Sequence, residues 1–431
     1  MNEGGTARRD KGGRNVKKFA MLLAAGAMAL TAGFMTGGAN AADKKITVVT
    51  WNIPYYKDGF QKWVDAFKKI HPDFDVERID MKGTELPAWY QTQVVAGTPP
   101  DILDLQGGIW LEYASQGGLT DLTPYLKRDK EYTDRIYPEV LNNWVYEGKN
   151  YGAPMYISKT LLFLNRKMMK EAGIEKDPTS FDEMMADAEK MTGPGKSGFM
   201  TLNFDWLYWP LFKMNGIDFV TPDLKKAAFN TPKTVALVKR LADLTKKGVI
   251  DKISWTGRWV EPNGAFAAGT VGMLHAHAPA YLWFKSKADW VNSDTVGAIN
   301  LPGDWSTPNS HAFVMSAGSK HPEEAWDFMK IATSGDGAVT FGEQTNNLMG
   351  DKIADQELMK YFEKNIPAVV PALKTQLEHF DKLTGNWPFA KDAEIKDAFY
   401  PELQAALLGQ KSAEDALNAA EQKVNRILQS Q

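Results

Sequence analysis

The sequence contains no cysteine in its 431 residues. Disulfide bonds are therefore excluded, and no thiolate is available to bind a metal ion or to carry a lipid anchor. Such a chain is stabilised by its hydrophobic cores alone. About 390 residues follow the N-terminal segment described below. Because one hydrophobic core rarely serves a chain of that length, we expect two domains.

An excess of positive charge is also missing. The 50 Lys and Arg residues and the 53 Asp and Glu residues give a formal net charge of −3. The first 41 residues hold six of the basic and two of the acidic residues, so the charge of the remainder is −7. A surface of this sign does not attract polyanions, and the composition argues against nucleic acid as a partner.

Signatures of catalysis and cofactor binding are absent or out of context. Neither H-E-x-x-H nor G-x-S-x-G occurs, so neither pattern supports an enzyme. The run GPGKSG at residues 193–198 fits G-x-G-x-x-G, but it follows a predicted helix and precedes a predicted strand, the reverse of the dinucleotide-binding order. Lys190 also stands where the first P-loop glycine belongs. We interpret this run as a connection.

One pair of histidines has the spacing of a metal site. His275 and His277 could chelate a metal ion, but no third ligand is in sight, so we expect ordinary polar loop residues at the end of a strand. We expect neither a metal ion nor an organic cofactor.

The N-terminus has the pattern of an export signal. Basic residues up to Lys18 precede an apolar run at residues 19–35, and Ala39-Asn40-Ala41 has the small-x-small pattern of a cleavage site. We assign residues 1–41 to a cleaved secretory signal and expect a periplasmic protein. No stop-transfer charges follow the apolar run, which favours cleavage over a retained membrane anchor. The cleavage site and the true start of the chain stay open.

Strand and helix patterns alternate along the rest of the chain. The first predicted elements are a strand at 45–51, a helix ending at 70, a strand at 74–79, a helix at 86–95 and a strand at 102–105. This βαβαβ order favours a parallel sheet. A second α/β unit begins near residue 155, with strands at 160–164 and 271–274 and a further strand at 313–315.

The turn before the third strand marks a candidate ligand-binding edge. Gly97 can close the preceding helix in the left-handed conformation, and Pro99 cannot continue it. The loop Gln106-Gly107-Gly108-Ile109-Trp110 then follows the strand. Ligands of open α/β sheets lie beyond the carboxyl ends of strands, so this loop is either a binding edge or an ordinary connection.

Capping residues mark the starts of several later helices. These predicted starts are Thr179 with Asp182, Thr231 before Pro232, His321 before Pro322, and Ser412 with Asp415. The last helix carries an apolar stripe, which we interpret as a packing face.

Six motifs occur in an order and spacing that cover nearly the whole chain after the signal. They are AGTPPDI (96–102), GLTDL (118–122), GKNYGAP (148–154), NR with EAGI (165–174), AFAAG (265–269) and KHPEEAW (320–326). In these motifs the chain resembles the maltose-binding type of extracellular solute-binding protein of bacterial ABC importers. The resemblance implies a non-enzymatic protein that captures a carbohydrate and delivers it to transmembrane permease subunits.

The same resemblance implies an α/β fold with two lobes and a ligand cleft between them. Each lobe is expected to be a mainly parallel sheet flanked by helices. The crossings between lobes, carried onto this sequence, fall near 155–158 and 312–315 and within 358–365. We therefore assign 42–155 and 315–358 to the N-terminal lobe, and 156–314 and 359–431 to the C-terminal lobe. We expect a monomer.

Aromatic residues are abundant, with 14 Trp and 14 Tyr. Many stand at predicted strand ends: Trp51, Tyr55, Tyr56, Trp110, Tyr156, Trp206, Trp209, Trp255, Trp259 and Trp387. A pyranose presents an apolar C–H face that an aromatic ring covers, and hydroxyl groups that carboxylates, amides and guanidinium groups bind. Residues 203–206 and 255–259 supply both kinds of side chain. Core packing is the alternative for each tryptophan.

We predict the ligand-binding residues from these segments and from family position. They are Trp51, Asn52, Tyr56, Gln106, Tyr156, Asn203, Asp205, Trp206, Arg258, Trp259, His277, Asn347 and Trp387. Asp104 suits a structural pair equally well, and Asn346 with Asn347 suits a turn.

Two other functions compete with carbohydrate binding. The resemblance also allows a polyol or a glycerol-phosphate-type ester, since Arg258 suits an anionic group. A secreted glycoside hydrolase would need two carboxylates across the scissile bond, such as Asp205 and Glu261. Many surface carboxylates mimic such a pair, so this is the more remote alternative.

Overall fold

Two β-sheets flanked by helices organise the described part of the chain. The computed structural model describes residues 44–51, 56–83, 85–106, 108–202, 204–258, 260–384 and 391–430, without the side chains of residues 56, 57 and 204–206. The predicted secretory signal at residues 1–41 lies outside the described residues.

The strands form two large sheets and one short hairpin. In chain order they are β1 (Lys45–Trp51), β2 (Asp75–Met81), β3 (Ile102–Gln106), β4 (Val145–Tyr146), β5 (Lys149–Asn150), β6 (Ala153–Tyr156), β7 (Thr160–Asn165), β8 (Ser197–Thr201), β9 (Val271–His277), β10 (Val296–Ile299) and β11 (His311–Met315). The first sheet has the order β2-β1-β3-β11-β6 and the second the order β10-β7-β9-β8.

Both sheets are mixed, which corrects the prediction of mainly parallel sheets. In the first, β1 pairs in parallel with β2 and β3, while β11 is antiparallel to β3 and β6. In the second, only β8 and β9 pair in parallel, and β7 is antiparallel to β9 and β10. β7 and β11, the first strands after each passage between the sheets, run opposite to the other strands of their sheet. The order of elements along the chain does not reveal that direction.

Helices cover the faces of both sheets. They are α1 (Tyr56–Ile70), α2 (Leu86–Ala96), α3 (Ile109–Ser115), α4 (Thr123–Arg128), α5 (Lys130–Arg135), α6 (Pro138–Asn142), α7 (Arg166–Glu171), α8 (Phe181–Met191), α9 (Phe204–Met214), α10 (Pro232–Lys246), α11 (Val260–Ala267), α12 (Ala280–Lys287), α13 (Pro322–Thr333), α14 (Gly335–Thr345), α15 (Lys352–Asn365), α16 (Val370–Gln376), α17 (Asp392–Leu407) and α18 (Ala413–Leu428). Short 3₁₀ turns occur at Lys252–Trp255, Pro302–Asp304, Pro367–Val369 and Phe380–Lys382. Within the described residues, no helix combines the length and apolar character needed to cross a membrane.

Burial on both faces explains the continuous apolar runs of the central strands. All six residues of β7 are buried. Because side chains alternate along a strand, Leu161 and Phe163 enter one hydrophobic core while Leu162 and Leu164 enter another on the opposite face. A sheet covered by helices on both sides has no polar face, so its strands read as uninterrupted hydrophobic sequence.

Most predicted helix ends are confirmed. Gly97 closes α2 in the left-handed conformation, with φ of 73°, and its N–H donates to the carbonyl groups of Gln93 and Val94. The hydroxyl groups of Thr231 and Ser412 accept the backbone N–H groups of Thr234 and Asp415 and so cap α10 and α18.

One predicted cap is displaced by a residue. Ser180, not Thr179, accepts the N–H of Glu183 at the start of α8. Thr179 instead donates its N–H and hydroxyl to the Glu183 carboxylate, at 2.8 and 2.7 Å. The two residues share the local pattern, and the backbone conformation decides which one caps.

The chain passes from the first sheet to the second between β6 and β7, and it returns between β10 and β11. Farther along, α15 packs against α14, and α16 packs against β10. β11 lies entirely in the first sheet, whereas the sequence interpretation divided it between the lobes at Met315. A later segment, 376–384, ties these passages together. The Gln376 side chain donates to the Ile157 carbonyl at 2.6 Å, and the Thr384 N–H donates to the Ser306 carbonyl at 2.8 Å. We call residues 157–160, 306–309 and 376–384 the hinge segments.

Candidate ligand-binding site

A cavity of about 730 Å³ lies where the two sheets face each other. Its size is within the usual range for a ligand pocket, about 300 to 1,000 Å³. The lining side chains come from both sheets and their connections: Trp51, Gln106, Tyr156, Ser158, Asn263, His277, Pro279, Ala280, Leu282, Trp283, Asn309, His311, Phe341, Thr345, Asn346 and Asn347. Trp51, Gln106, Tyr156 and His277 each end a strand, as expected for a site at the carboxyl edge of an α/β sheet.

Three aromatic rings form one wall, which we call the aromatic cradle: Trp51, Tyr156 and His311. The His311 ring stacks on Tyr156 with centroids 4.8 Å apart and an interplanar angle of 25°. Trp51 meets the same imidazole edge-on, at 4.7 Å and 77°. Burial raises the pKa of Tyr156, and the negative charge of Asp104 raises it further. The Tyr156 hydroxyl therefore stays protonated and able to donate.

A buried contact between Asp104 and His311 holds one ring of the aromatic cradle. Nδ1 of His311 lies 2.7 Å from Oδ1 of Asp104, and the side chains are 2% and 0% exposed. The two residues are brought together because β11 pairs antiparallel with β3, with His311 opposite Gln106. Of the two readings that the sequence left open for Asp104, the structure shows the structural pair.

His277 ends β9 on the opposite side of the cavity. Burial lowers its pKa to about 4, so the imidazole is neutral at neutral pH. His275, two residues earlier, is fully buried within the strand and its Nδ1 lies 3.0 Å from Oγ1 of Thr201. Burial, and secondarily His277, lowers the pKa of His275 to about 3. The prediction of loop residues was wrong, because the strand extends through both histidines.

The C-terminal end of α14 supplies further polar residues to the cavity lining. Asn346 ends this helix in the left-handed conformation, with φ of 55°, and Asn347 follows it into the cavity wall. Asp355 fixes the next residues, since its carboxylate accepts the N–H groups of Met349 at 2.6 Å and Gly350 at 3.1 Å. Both asparagines thus belong to a turn that also lines the cavity.

The structure brings five of the predicted ligand-binding residues to one cavity: Trp51, Gln106, Tyr156, His277 and Asn347. Arg258 is not among the lining residues, since its side chain is 62% exposed and lies 3.3 Å from the Glu261 carboxylate. Tyr56, Asp205 and Trp206 lie in α1 and α9, but their side chains are outside the description. Asn52, Asn203, Trp259 and Trp387 lie outside the described residues.

Several aromatic residues that the sequence placed at strand ends are core residues. Trp110, Trp209 and Trp255 are 4%, 3% and 1% exposed. The indole N–H of Trp255 donates to the Thr245 hydroxyl at 2.9 Å, which satisfies its only polar atom. For these three tryptophans, packing was the correct alternative.

Sequence reasoning missed His311, Asn309, Asn263, Ser158 and Trp283. β11 begins at the carboxyl edge only because it runs antiparallel to β3, so its first residues carry no local signal of a site. Asn263 lies in α11 and Trp283 in α12. The glycine-rich loop and aromatic cues used for the other residues do not apply to helix faces.

A two-lobed α/β protein with a polar, aromatic cavity between its sheets has the organisation of a binding protein for a small solute. The chain belongs to the bacterial extracellular solute-binding protein family, whose model matches residues 51–339. The family predicted from the sequence motifs is confirmed.

Individual relatives are distant but match nearly the full length. The chain is 23% identical over 413 residues to the galactooligosaccharide-binding protein of Bacillus subtilis, covering 89% of this chain and 90% of the relative. It is 20% identical, with a TM-score of 0.74, to an ABC substrate-binding protein of Listeria monocytogenes in complex with cycloalternan, covering 89% of this chain and 98% of that one.

A third likeness is to an ABC transporter solute-binding protein of Thermotoga lettingae bound with alpha-D-tagatose. The two chains are 22% identical with a TM-score of 0.71, and the match covers 89% of this chain and all of the other. These likenesses confirm the predicted two-lobed α/β fold with helices flanking the sheets.

Proposed function

We propose that this protein is the periplasmic carbohydrate-binding component of an ABC importer. It binds an uncharged sugar in the cavity between the sheets and delivers it to membrane permease subunits. The observation that carries this proposal is the lining of the cavity, which combines aromatic rings with neutral hydrogen-bonding groups. A sugar ring needs both, because its C–H face is apolar and its rim is polar.

The charge of the cavity favours a neutral ligand over a phosphate ester. Among the described lining residues there is no Asp, Glu, Lys or Arg. A phosphate group is normally held by Arg, Lys or clustered backbone N–H groups. Arg258, the residue that suggested an anionic ligand, instead faces solvent beside Glu261. A neutral polyol fits the same lining and remains the second candidate.

A thermal-shift screen of the purified protein separates these candidates. The expected result is a rise in melting temperature with one class of mono- or oligosaccharide, since a ligand that binds only the folded state stabilises it in proportion to concentration. Neutral polyols form the second arm and glycerol-phosphate esters the third. Stabilisation by phosphate esters alone would contradict the proposal.

We propose no catalytic activity. A hydrolase would require a pair of carboxylates across the bond to be cleaved, and the described lining residues include no carboxylate. Incubation with sugar polymers and chromatographic analysis is expected to show no turnover. Release of reducing ends, lost on replacing Asp205 or Glu261, would establish the hydrolase instead.

The expected partners follow from this role. We propose the transmembrane permease subunits of one importer as the macromolecular partner, a monomeric state in solution, and no interaction with nucleic acid. Delivery requires that the permease distinguish the loaded protein from the empty one, so lobe closure on the ligand is part of the proposal.

A further inference from the structure

The buried pair formed by Asp104 and His311 also reaches the ligand cavity, through His311. The pair is closed to bulk water, with exposures of 0% and 2%, yet His311 lines the cavity. An ionised carboxylate accepts hydrogen bonds and donates none. At the 2.7 Å separation from Asp104 Oδ1, the hydrogen between the two groups therefore belongs to Nδ1 of His311.

This arrangement leaves the second ring nitrogen for a ligand. Among the described residues, Nδ1 of His311 has Asp104 as its partner and Nε2 has none. When Nδ1 of a neutral imidazole carries the hydrogen, Nε2 presents a lone pair. A hydroxyl group is the natural donor to such a lone pair, whereas a carboxylate or a fully ionised phosphate monoester has no hydrogen to donate to it.

The flanking rings fix the direction in which Nε2 points. Stacking on Tyr156 at 4.8 Å sets the plane of the imidazole, and the edge-on contact with Trp51 at 4.7 Å limits its rotation within that plane. A ligand group held by an oriented acceptor loses less affinity to ordering than one held by a mobile side chain.

We propose that Asp104 is a positioning residue that holds His311 as an oriented acceptor for one hydroxyl group of the ligand. The inference rests on the proposed function, because it presumes that the ligand occupies this cavity. It extends that function by naming His311 as a specificity-determining residue and by giving the chemistry that it selects, an uncharged hydroxyl donor.

The first measurement determines which imidazole nitrogen of His311 carries the hydrogen. Imidazole ¹⁵N chemical shifts distinguish a nitrogen that carries hydrogen from one that does not, and the chain has only six histidines to assign. We expect His311 to show hydrogen on Nδ1 in the free protein, and its Nε2 signal to shift when the best sugar of the thermal screen is added. An unchanged His311 spectrum at saturation would overturn the inference.

The second measurement is a double-mutant cycle by calorimetric titration. D104N keeps the shape of the side chain but can present either an oxygen or a nitrogen to Nδ1, so it no longer fixes the hydrogen. We expect D104N and H311Q each to weaken sugar binding about tenfold. The double variant should bind no more weakly than H311Q alone, because Asp104 acts through His311. Additive losses would contradict the positioning role.

A matched control uses another buried carboxylate at the far end of β3. Asp101 is 7% exposed and accepts the Thr47 N–H at 2.8 Å, away from the cavity lining. D101N should lower stability but leave sugar affinity unchanged. If the wild-type protein binds no sugar, the proposed function fails. If it binds sugar and H311Q binds equally well with native melting behaviour, only this inference fails.

Discussion

The position of the Trp51 ring depends on Gly83, a residue that lies against it and has no side chain. A Cβ atom built on Gly83 would lie 2.5 Å from Cζ2 and 2.7 Å from Cε2 of the Trp51 indole. These are atoms of a rigid ring, so the ring as a whole would have to move. The position of Trp51 in the aromatic cradle therefore requires glycine at residue 83.

We predict that Gly83→Ala weakens binding of the preferred sugar about tenfold and costs about 1 to 3 kcal/mol of stability through overpacking. Gly193→Ala is the matched control, because a Cβ there meets nothing within 4 Å. Calorimetric titration of both variants tests the prediction. Equal affinities for Gly83→Ala and Gly193→Ala would show that the indole does not contact the ligand.

The lowered pKa of His277 predicts that the stability of the protein depends on pH. Its folded pKa is lowered to about 4 by burial, below the ordinary value of about 6.5. As the pH falls, the unfolded chain takes up the proton first, so the stability contributed by the neutral imidazole is complete above about pH 6.5 and is lost toward pH 4.

We predict that His277→Gln reduces the loss of unfolding free energy between pH 7 and pH 5 by up to about 2 kcal/mol. Denaturant titrations at the two pH values measure this difference. His379→Gln serves as the control, because that side chain is 44% exposed. Parallel pH curves for the wild-type protein and His277→Gln would contradict the prediction.

At the scale of elements, the hinge segments contain a buried ammonium group. Lys159 is 1% exposed, donates to the Glu378 carbonyl and lies 5.9 Å from the Phe380 ring centroid. Burial lowers its pKa to about 8, while the nearby Glu378, Asp304 and Asp381 carboxylates act in the opposite direction. The folded protein therefore releases this proton before the unfolded chain does.

The lowered pKa of Lys159 makes the free energy of unfolding increase with pH. A lysine whose folded pKa lies below its unfolded value of about 10.5 costs stability below pH 8, and the cost disappears as the pH rises toward 10.5. We predict that wild-type protein gains about 2 kcal/mol relative to Lys159→Met between pH 8 and pH 10. Lys69→Met, at an exposed position, should show no such change. A constant difference between wild type and Lys159→Met across this range would refute the assignment.

At the scale of the whole molecule, the cavity lies between two sheets joined by the hinge segments. A ligand that contacts residues of both sheets is bound more tightly in the closed arrangement than in the open one, and only that difference shifts the population. The sheets with their packed helices should move as rigid bodies, with backbone changes confined to the hinge segments.

We predict that saturating sugar decreases the radius of gyration measured by small-angle X-ray scattering. A sugar that gives no thermal shift is the control and should leave the scattering curve unchanged. Identical radii of gyration with and without the binding sugar would contradict ligand-driven closure.

Much of the fold could be predicted from local sequence, because local interactions decide where elements begin and end. The left-handed Gly97, the capping Ser412 and the apolar run of β7 each act on neighbours a few residues away. The sequence motifs also identified the family, since their order along the chain does not depend on how the strands pair.

The sequence by itself thus determined the positions and order of β1, β2, β3, β7, β9 and β11. It also determined the family and part of the candidate site. The βαβαβ order also predicted the parallel pairing of β1, β2 and β3. Only the tertiary structure decided the direction of β7 and β11, and with it the second half of the cavity wall. Asp104 and His311 are 207 residues apart, and nothing local to either predicts their pairing. They meet because β11 returns from the other sheet antiparallel to β3, and the direction of a returning strand is set by packing between distant parts of the chain.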